Sequence, residues 1–298
     1  MRVLVLGGRG FIGRHIVASL LNQGAKIIIS SRKADPTSPT YVSVRMQEMT
    51  NPADWIKVVA SYDVVVNSVG ILRERWKETY DAVHRQAPMA LAAACKSQGI
   101  RLIHISALSL SANAQSRFIR SKLSGEQALL ASGADLAIVR PSLLDGEGGF
   151  GAQWIRRVAR SPIYAVMKTK GVIAPLKVSD LGDAIARLCF MRQLPSNEIE
   201  LGGNNVISMR EYLARLRREY TSYKAYVLEV PVWMVRLSSH ILDLLQLTPL
   251  SFGHVELMQG YNAPKINLLA SLIGRKPAVV GIVEDRQTES KLMPTAID

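Results

Sequence analysis

Arg2-Val3-Leu4-Val5-Leu6-Gly7-Gly8-Arg9-Gly10-Phe11-Ile12-Gly13 opens the chain after its first methionine, and the order of these residues decides the fold. Four apolar residues in succession suit a strand covered on both faces, as in a parallel sheet. Glycines follow at once, and a helical pattern follows them: Phe11, Ile12, His15-Ile16-Val17 and Leu20-Leu21, closing at Gly24. A strand that turns into a helix through glycines is where a dinucleotide pyrophosphate binds. Both Gly8-x-Gly10-x-x-Gly13 and Gly7-x-x-Gly10-x-x-Gly13 can be read here, supplying a tight turn, backbone approach to phosphate and close packing of helix on strand. The helix N-terminus adds free N–H groups and the positive end of a dipole.

The next strand, Lys26-Ile27-Ile28-Ile29-Ser30, ends where an NAD-binding chain would place an acid on the ribose 2'-hydroxyl. Here Ser31-Arg32-Lys33 follow instead. Two cations and a hydroxyl attract a 2'-phosphate, and Arg9 within the glycine loop can add a bidentate contact. The cofactor expected is therefore NADP(H) rather than NAD(H).

Strand and helix keep alternating downstream. Tyr41–Val44, Asp63–Asn67, Arg101–Ile105 and Leu136–Val139 read as strands; helices are expected from Asn51-Pro52, over Tyr80–Ser97 and over Phe118–Leu130. Pro88 should kink the second of these or mark its true start. Such alternation predicts a Rossmann-like, doubly wound parallel sheet with helices on both faces. Beyond Arg140-Pro141-Ser142 and the loop Asp145–Gly149 the rhythm changes to helices with few strands, among them a helix capped by Ser179 or Asp180 and a basic amphipathic helix over Arg210–Tyr220. We expect a dinucleotide-binding domain over 1–145 and a smaller, mainly helical lobe over 146–298, partly interleaved with it, ending in a loose tail from Pro294.

Composition narrows the partners. Cys95 and Cys189 lie in helical runs with no Cys-x-x-Cys spacing, which predicts buried free thiols, a reducing compartment and no metal site. No secretory signal or membrane-spanning stretch is expected; the most apolar late segment, Val227–Leu247, is broken by Glu229, Pro231, Arg236, His240 and Asp243. The formal net charge is +13, and 149–179 holds six cations and no acid. A phosphorylated substrate, an acidic protein or an anionic membrane surface would complement this stretch, as a solvated basic face would also explain it; no nucleic acid is expected. The setting expected is cytoplasmic, including the inner face of a membrane.

Taken together, the motifs resemble the short-chain dehydrogenase/reductase superfamily, in its extended and atypical members. The resemblance runs from residue 1 to about 190 and rests on Gly7-x-x-Gly10-x-x-Gly13, Asn67-Ser68-Val69-Gly70, Ser106, Lys122 and Arg140-Pro141-Ser142. Finer detail in 66–72, Val83-His84, 105–108 and 117–122 is most similar to the branch holding the nucleotide-binding accessory subunit of respiratory complex I and its bacterial relatives. The resemblance implies cofactor contacts from Gly7 to Gly13, Ser31, Arg32, Glu48, Asn67 to Gly70, Ser106, Lys122 and Pro141, with Glu48 in the place of an adenine-side aspartate. It also implies a tyrosine four residues before the lysine, whose phenol passes a proton to or from the substrate oxygen. That position is Phe118, which leaves Ser106 and Lys122 as a degenerate catalytic set. The expected function is NADP(H) binding in structural, assembly or redox-sensing work. The rival is an NADP-dependent reductase or epimerase/dehydratase on a small or nucleotide-linked substrate, using Ser106, Ser109 or water as its acid. His84 is expected to be a satisfied core histidine.

Overall fold

A computed structural model describes residues 1–32, 40–245 and 252–281; Lys33, the side chain of Ser31 and the Pro294–Asp298 tail lie outside what is described. The first half follows the expected alternation: β1 (Arg2–Leu6), α1 (Phe11–Asn22), β2 (Lys26–Ser31), β3 (Tyr41–Ser43), α2 (Pro52–Val59), β4 (Val64–Asn67), α3 (Ala87–Ser97), β5 (Arg101–Ile105), α4 (Arg117–Ala131) and β6 (Leu136–Pro141). Asn51 and Asp54 form a capping box at the start of α2. Pro88 marks a start rather than a kink. A π-helical turn over Ala82–Gln86 precedes it, and α3 proper begins one residue before the proline.

The later chain comprises β7 (Leu144–Asp145), α5 (Phe150–Arg160), β8 (Ile163–Lys168), β9 (Val172–Ile173), β10 (Leu176–Lys177), α6 (Val178–Phe190), β11 (Glu198–Leu201), α7 (Met209–Arg218), β12 (Tyr226–Pro231), α8 (Val232–Leu245), α9 (Phe252–Gln259), β13 (Tyr261–Asn262) and α10 (Leu269–Ile273). The expectation of few strands here is corrected. Four of these strands are two-residue pairings with no period to read, and β8 and β12 lie within stretches apolar on both faces, where alternation is invisible.

Seven strands form one parallel sheet in the order β11-β6-β5-β4-β1-β2-β3. Its two faces are sorted by the period of two along β1. Val3 and Val5 join Ile16 and Leu20 of α1 and Leu181, Ile185 and Leu188 of α6 in one core; Leu4 and Leu6 join Trp55, Leu91 and Leu129 in the other. The sheet is thus buried on both sides, and the chain reverses direction between β1 and β4. In an open parallel sheet that reversal leaves a crevice beyond the carboxyl ends of the strands.

α6 corrects a detail. Neither Ser179 nor Asp180 caps it; Lys177 occupies the N-cap without a side-chain bond. Buried Asp180 instead accepts from Arg275 at 2.7 Å and from the Ala278 N–H at 2.7 Å, tying the end of the described chain to the sheet-facing helix. Two cations of the basic stretch also turn inward. Arg156 and Lys177 both reach the fully buried Asp145, at 2.9 and 3.0 Å, and Tyr212 donates its hydroxyl to the same carboxylate at 3.1 Å.

Candidate functional site

At the carboxyl end of β1, Gly7 takes φ of +75°, a region that L side chains rarely adopt. The Gly10 N–H donates to Gly7 O at 2.8 Å, closing a turn that delivers the chain into α1. No side-chain hydrogen bond caps α1 and its first turn carries no acid, and its leading N–H groups have no intrahelical partner. The glycines differ in role. A Cβ on Gly13 would sit 2.1 Å from Gly7 O and 2.6 Å from Gly8 Cα, and one on Gly8 would meet Ile29 at 2.7 Å; these two permit packing. A Cβ on Gly10 meets only Gly7 O, at 3.1 Å, so Gly10 leaves its space open toward the helix N-terminus. The Gly7 N–H donates to Ser30 Oγ at 3.1 Å, a tie of the turn to β2 that no local pattern announces. Phe11 and Ile12 are half-buried, the Phe11 ring lying where a Cβ on Gly149 would come within 2.8 Å.

β4 supplies the opposite wall. Asn67 is buried; its amide oxygen accepts from the Val69 N–H at 3.1 Å and its amide nitrogen meets His104 Nδ1 at 3.1 Å. Ser68 Oγ donates to Leu6 O at 2.7 Å, joining β4 to β1 where the chain reverses direction. Asn67 to Gly70 thus stand directly across from the glycine loop. On the β2 side Arg32 is 74% exposed and ion-paired with Glu78 at 3.1 Å. Arg9 lies over the Tyr41 ring at 5.9 Å, and Glu48, half-exposed in a 3-10 turn, pairs with Arg45 at 3.4 Å.

The third wall comes from β5, α4 and β6. Ser106 follows β5 with its backbone N–H bonded to Val139 O, yet its buried Oγ has no hydrogen-bond partner among the described residues. A buried orphan hydroxyl calls for a ligand group or water. Lys122 is half-buried by area, and burial still pushes its ammonium down to about 8, opposed by the carboxylate of Glu126. Glu126, itself buried, accepts from Arg140 Nε at 3.0 Å, so the end of β6 anchors the acid that faces the lysine. Pro141 ends β6 and its carbonyl accepts from the Leu108 N–H at 3.2 Å.

Phe118, one turn before Lys122, is only 7% exposed. Its ring stacks on His254 of α9 at 5.6 Å and meets Tyr80 and His84 edge-on at 6.0 and 5.6 Å. α9 is fixed there by Glu256, whose carboxylate accepts from the Gln115 and Ser116 N–H groups at 2.8 and 2.9 Å, capping α4. Gly253 makes the approach possible, since a Cβ would lie 2.9 Å from the Phe118 ring. His84 is the core histidine expected. Its Nε2 accepts from the Ile71 N–H at 3.2 Å and its Nδ1 meets Ser121 Oγ at 2.9 Å. Burial first, then Lys122 and His104, push it down to about 2, so it is neutral. Ser109, with φ of +62°, donates its Oγ to Tyr261 O at 2.7 Å, tethering its loop to β13. Sequence reasoning missed His254, Glu256 and His104; only the small residue at Gly253 hints at so close an approach.

The family model described as NAD dependent epimerase/dehydratase matches residues 3–188. The chain belongs to that family. Among curated relatives, the family member is 27% identical over 192 residues to a ceramide reductase of Caulobacter vibrioides (strain NA1000 / CB15N), covering 63% of this chain and 60% of that protein. It is also 27% identical over 238 residues to the mitochondrial NADH dehydrogenase (ubiquinone) 1 alpha subcomplex subunit 9 of Arabidopsis thaliana, covering 74% of this chain and 58% of that one. The matches thus span less than two thirds of these relatives' own lengths. Among solved structures, MoeE5 in complex with UDP-glucuronic acid and NAD superposes with a TM-score of 0.67 at 19% identity over 94% of both chains. WbmG of Bordetella bronchiseptica in complex with NAD gives 0.67 at 18% identity, over 94% and 89%. At these identities the structures show a shared fold.

Proposed function

We propose that the protein binds NADP(H) through the glycine loop and serves structural, assembly or redox-sensing work rather than classical turnover. The observation that carries this is Phe118: the position that needs a phenol holds a ring packed against His84, Tyr80 and His254. A nicotinamide dinucleotide, when bound, supplies or accepts a hydride; the accompanying proton has no donor at Phe118. The glycine loop and the uncapped α1 fit a pyrophosphate, Lys122 and Ser106 fit ribose and nicotinamide, Glu48 and Asn67 to Gly70 fit the adenine side and the central wall, and Arg32 with Arg9 fits a 2'-phosphate. Relatives named as subunits of NADH dehydrogenase support a role within a larger assembly, and the basic 149–179 stretch supports an anionic partner.

A second reading, an NADP-dependent reductase or epimerase/dehydratase, is favoured by the Ser106 hydroxyl, unpartnered among the described residues, together with Lys122, whose ammonium burial pushes down to about 8. Calorimetric titration with NADPH and NADH, paired with a turnover assay on carbonyl substrates, separates the two. We expect NADPH to bind more tightly and Arg32→Ala to cost about 1.5–3 kcal/mol, the worth of a charge-assisted bond. Equal affinity for both cofactors would remove the 2'-phosphate site, and robust turnover that survives Ser106→Ala and Lys122→Ala would relocate the active site.

Lys122 gives a pH signature. Its ammonium is charged below about 8 and neutral above, so NADPH affinity should fall as pH rises through that value, and Lys122→Met should flatten the profile. In the unliganded protein the sign is opposite. Between about 8 and the ordinary lysine value of 10.5 the unfolded chain holds more protons, so this group's contribution to stability rises with pH across that window. A wild-type binding profile as flat as that of the variant would take Lys122 out of the ribose contact.

A further inference from the structure

The β8–β12 pair is a two-stranded parallel ribbon in register from Tyr226 opposite Ile163 to Pro231 opposite Lys168. Its inner face, Tyr164, Val166 and Val227, joins Ile155, Leu213 and Leu216 in the core of the C-terminal lobe. By the period of two, Ile163, Ala165 and Met167 stand on the other face beside Tyr226, Leu228 and Val230. That face is apolar along its whole length. Ile163 is 56% exposed and Tyr226 68%, where a surface ribbon ordinarily alternates apolar with polar residues. α8 continues the chain directly from β12 and exposes Trp233, at 65%, with Met234 and Leu237. An exposed apolar surface built from consecutive elements marks a binding face.

Charge says what covers it. Exposed Arg157 and Arg160 precede β8, exposed Lys224 precedes β12, and exposed Lys168 closes β8 with exposed Lys170 just beyond it. The single acid of β12, Glu229, is ion-paired to Arg210 at 2.5 Å. The ribbon's outer face is therefore apolar in the middle and carries Tyr226 as an amphipathic ring, α8 as its direct continuation adds exposed Trp233, and cations stand at both ends. That is the pattern of an element lying in a headgroup layer, with rings at the acyl boundary and lysines and arginines on lipid phosphates. An acidic protein with an apolar patch of its own would match the same pattern, and the vesicle assay below separates it from lipid. Among the described residues no helix is long and apolar enough to cross a membrane.

We infer that the outer face of the β8–β12 ribbon with α8 docks on an anionic lipid bilayer, lying along it. Co-sedimentation of the full chain with phosphatidylcholine vesicles, with and without phosphatidylglycerol, tests this. Binding should require the anionic lipid and weaken with salt. Lys168→Ala/Lys170→Ala should lose about fivefold in partition per charge removed, and Trp233→Ser/Leu237→Ser about tenfold or more, with circular dichroism and melting temperature unchanged. Should that last variant not fold, quenching of Trp233 by brominated lipid in a Trp76→Phe/Trp154→Phe background, where the remaining indole of Trp55 is fully buried, supplies the readout, and Trp233→Phe should abolish it. Equal binding to neutral vesicles, variants that partition like the native chain, or a wild type that ignores both vesicles, whether the face closes a dimer, takes an acidic protein or stays free, would each overturn the inference.

Discussion

Gly10→Val should leave a folded protein that no longer binds a dinucleotide, whereas Gly13→Val should not fold. The contrast follows from what a side chain would meet. At Gly13 the new Cβ would overlap the backbone of Gly7 and Gly8, at 2.1 to 2.7 Å, and backbone at the end of a central strand has nowhere to go. At Gly10 it would approach only Gly7 O, at 3.1 Å, a contact relieved by a few tenths of an ångström. The valine methyls would then occupy the space in front of the uncapped α1 N-terminus, where a pyrophosphate would take its bonds from backbone N–H groups. Two such charge-assisted bonds are worth about 3–6 kcal/mol, more than about a hundredfold in affinity. Calorimetry with NADPH beside thermal unfolding of both variants measures this; a Gly10→Val protein that binds like wild type would move the site away from the loop.

The second large effect is on stability. Asp145→Ala should cost about 3–5 kcal/mol, because removing one partner of a buried ion pair strands the other charges. Here two cations would lose the same partner. Arg156 retains Glu219 at 3.0 Å and Tyr220 at 3.2 Å, but Lys177 has Asp145 as its ion pair. Tyr212, buried and raised well above its ordinary value by burial and then by that carboxylate, loses its acceptor. These residues come from α5, α7 and the β10–α6 junction, so the penalty falls on the seam that holds the later chain together. A fall in melting temperature of roughly 10 °C is expected. Asp145→Asn should do less harm, keeping an acceptor for Tyr212, and a melting curve for Asp145→Ala that overlays the wild type would show that the hub carries no net stability.

Much of this architecture was legible because the first half of the chain writes its structure locally. The glycine loop, the all-apolar β1 and the spacing from Ser106 through Phe118 to Lys122 are short-range patterns, and the structure brings Ser106, Lys122 and Asn67 to one end of the sheet as the alternation implied. What could not be read depends on distant residues. His254 reaches Phe118 across 136 positions and Glu256 caps α4 from equally far away, and no period links them. Glu78 sits beside Arg32 through a loop closure that charge alone does not announce. Asp145 reads as a loop acid until its three partners converge from three elements.

The order of the sheet has a consequence during synthesis. β11 pairs with β6 at the sheet edge, yet Glu198 follows Pro141 by 57 residues. At about 5–20 residues per second the ribosome takes roughly 3–11 s to supply them. For that interval the nascent sheet presents β6 as a bare apolar edge, the kind that recruits strands from other chains. Refolding yield, and the demand for chaperones in the cell, should therefore depend more on the speed with which 142–201 is delivered and docked than on the nucleotide-binding half that precedes it.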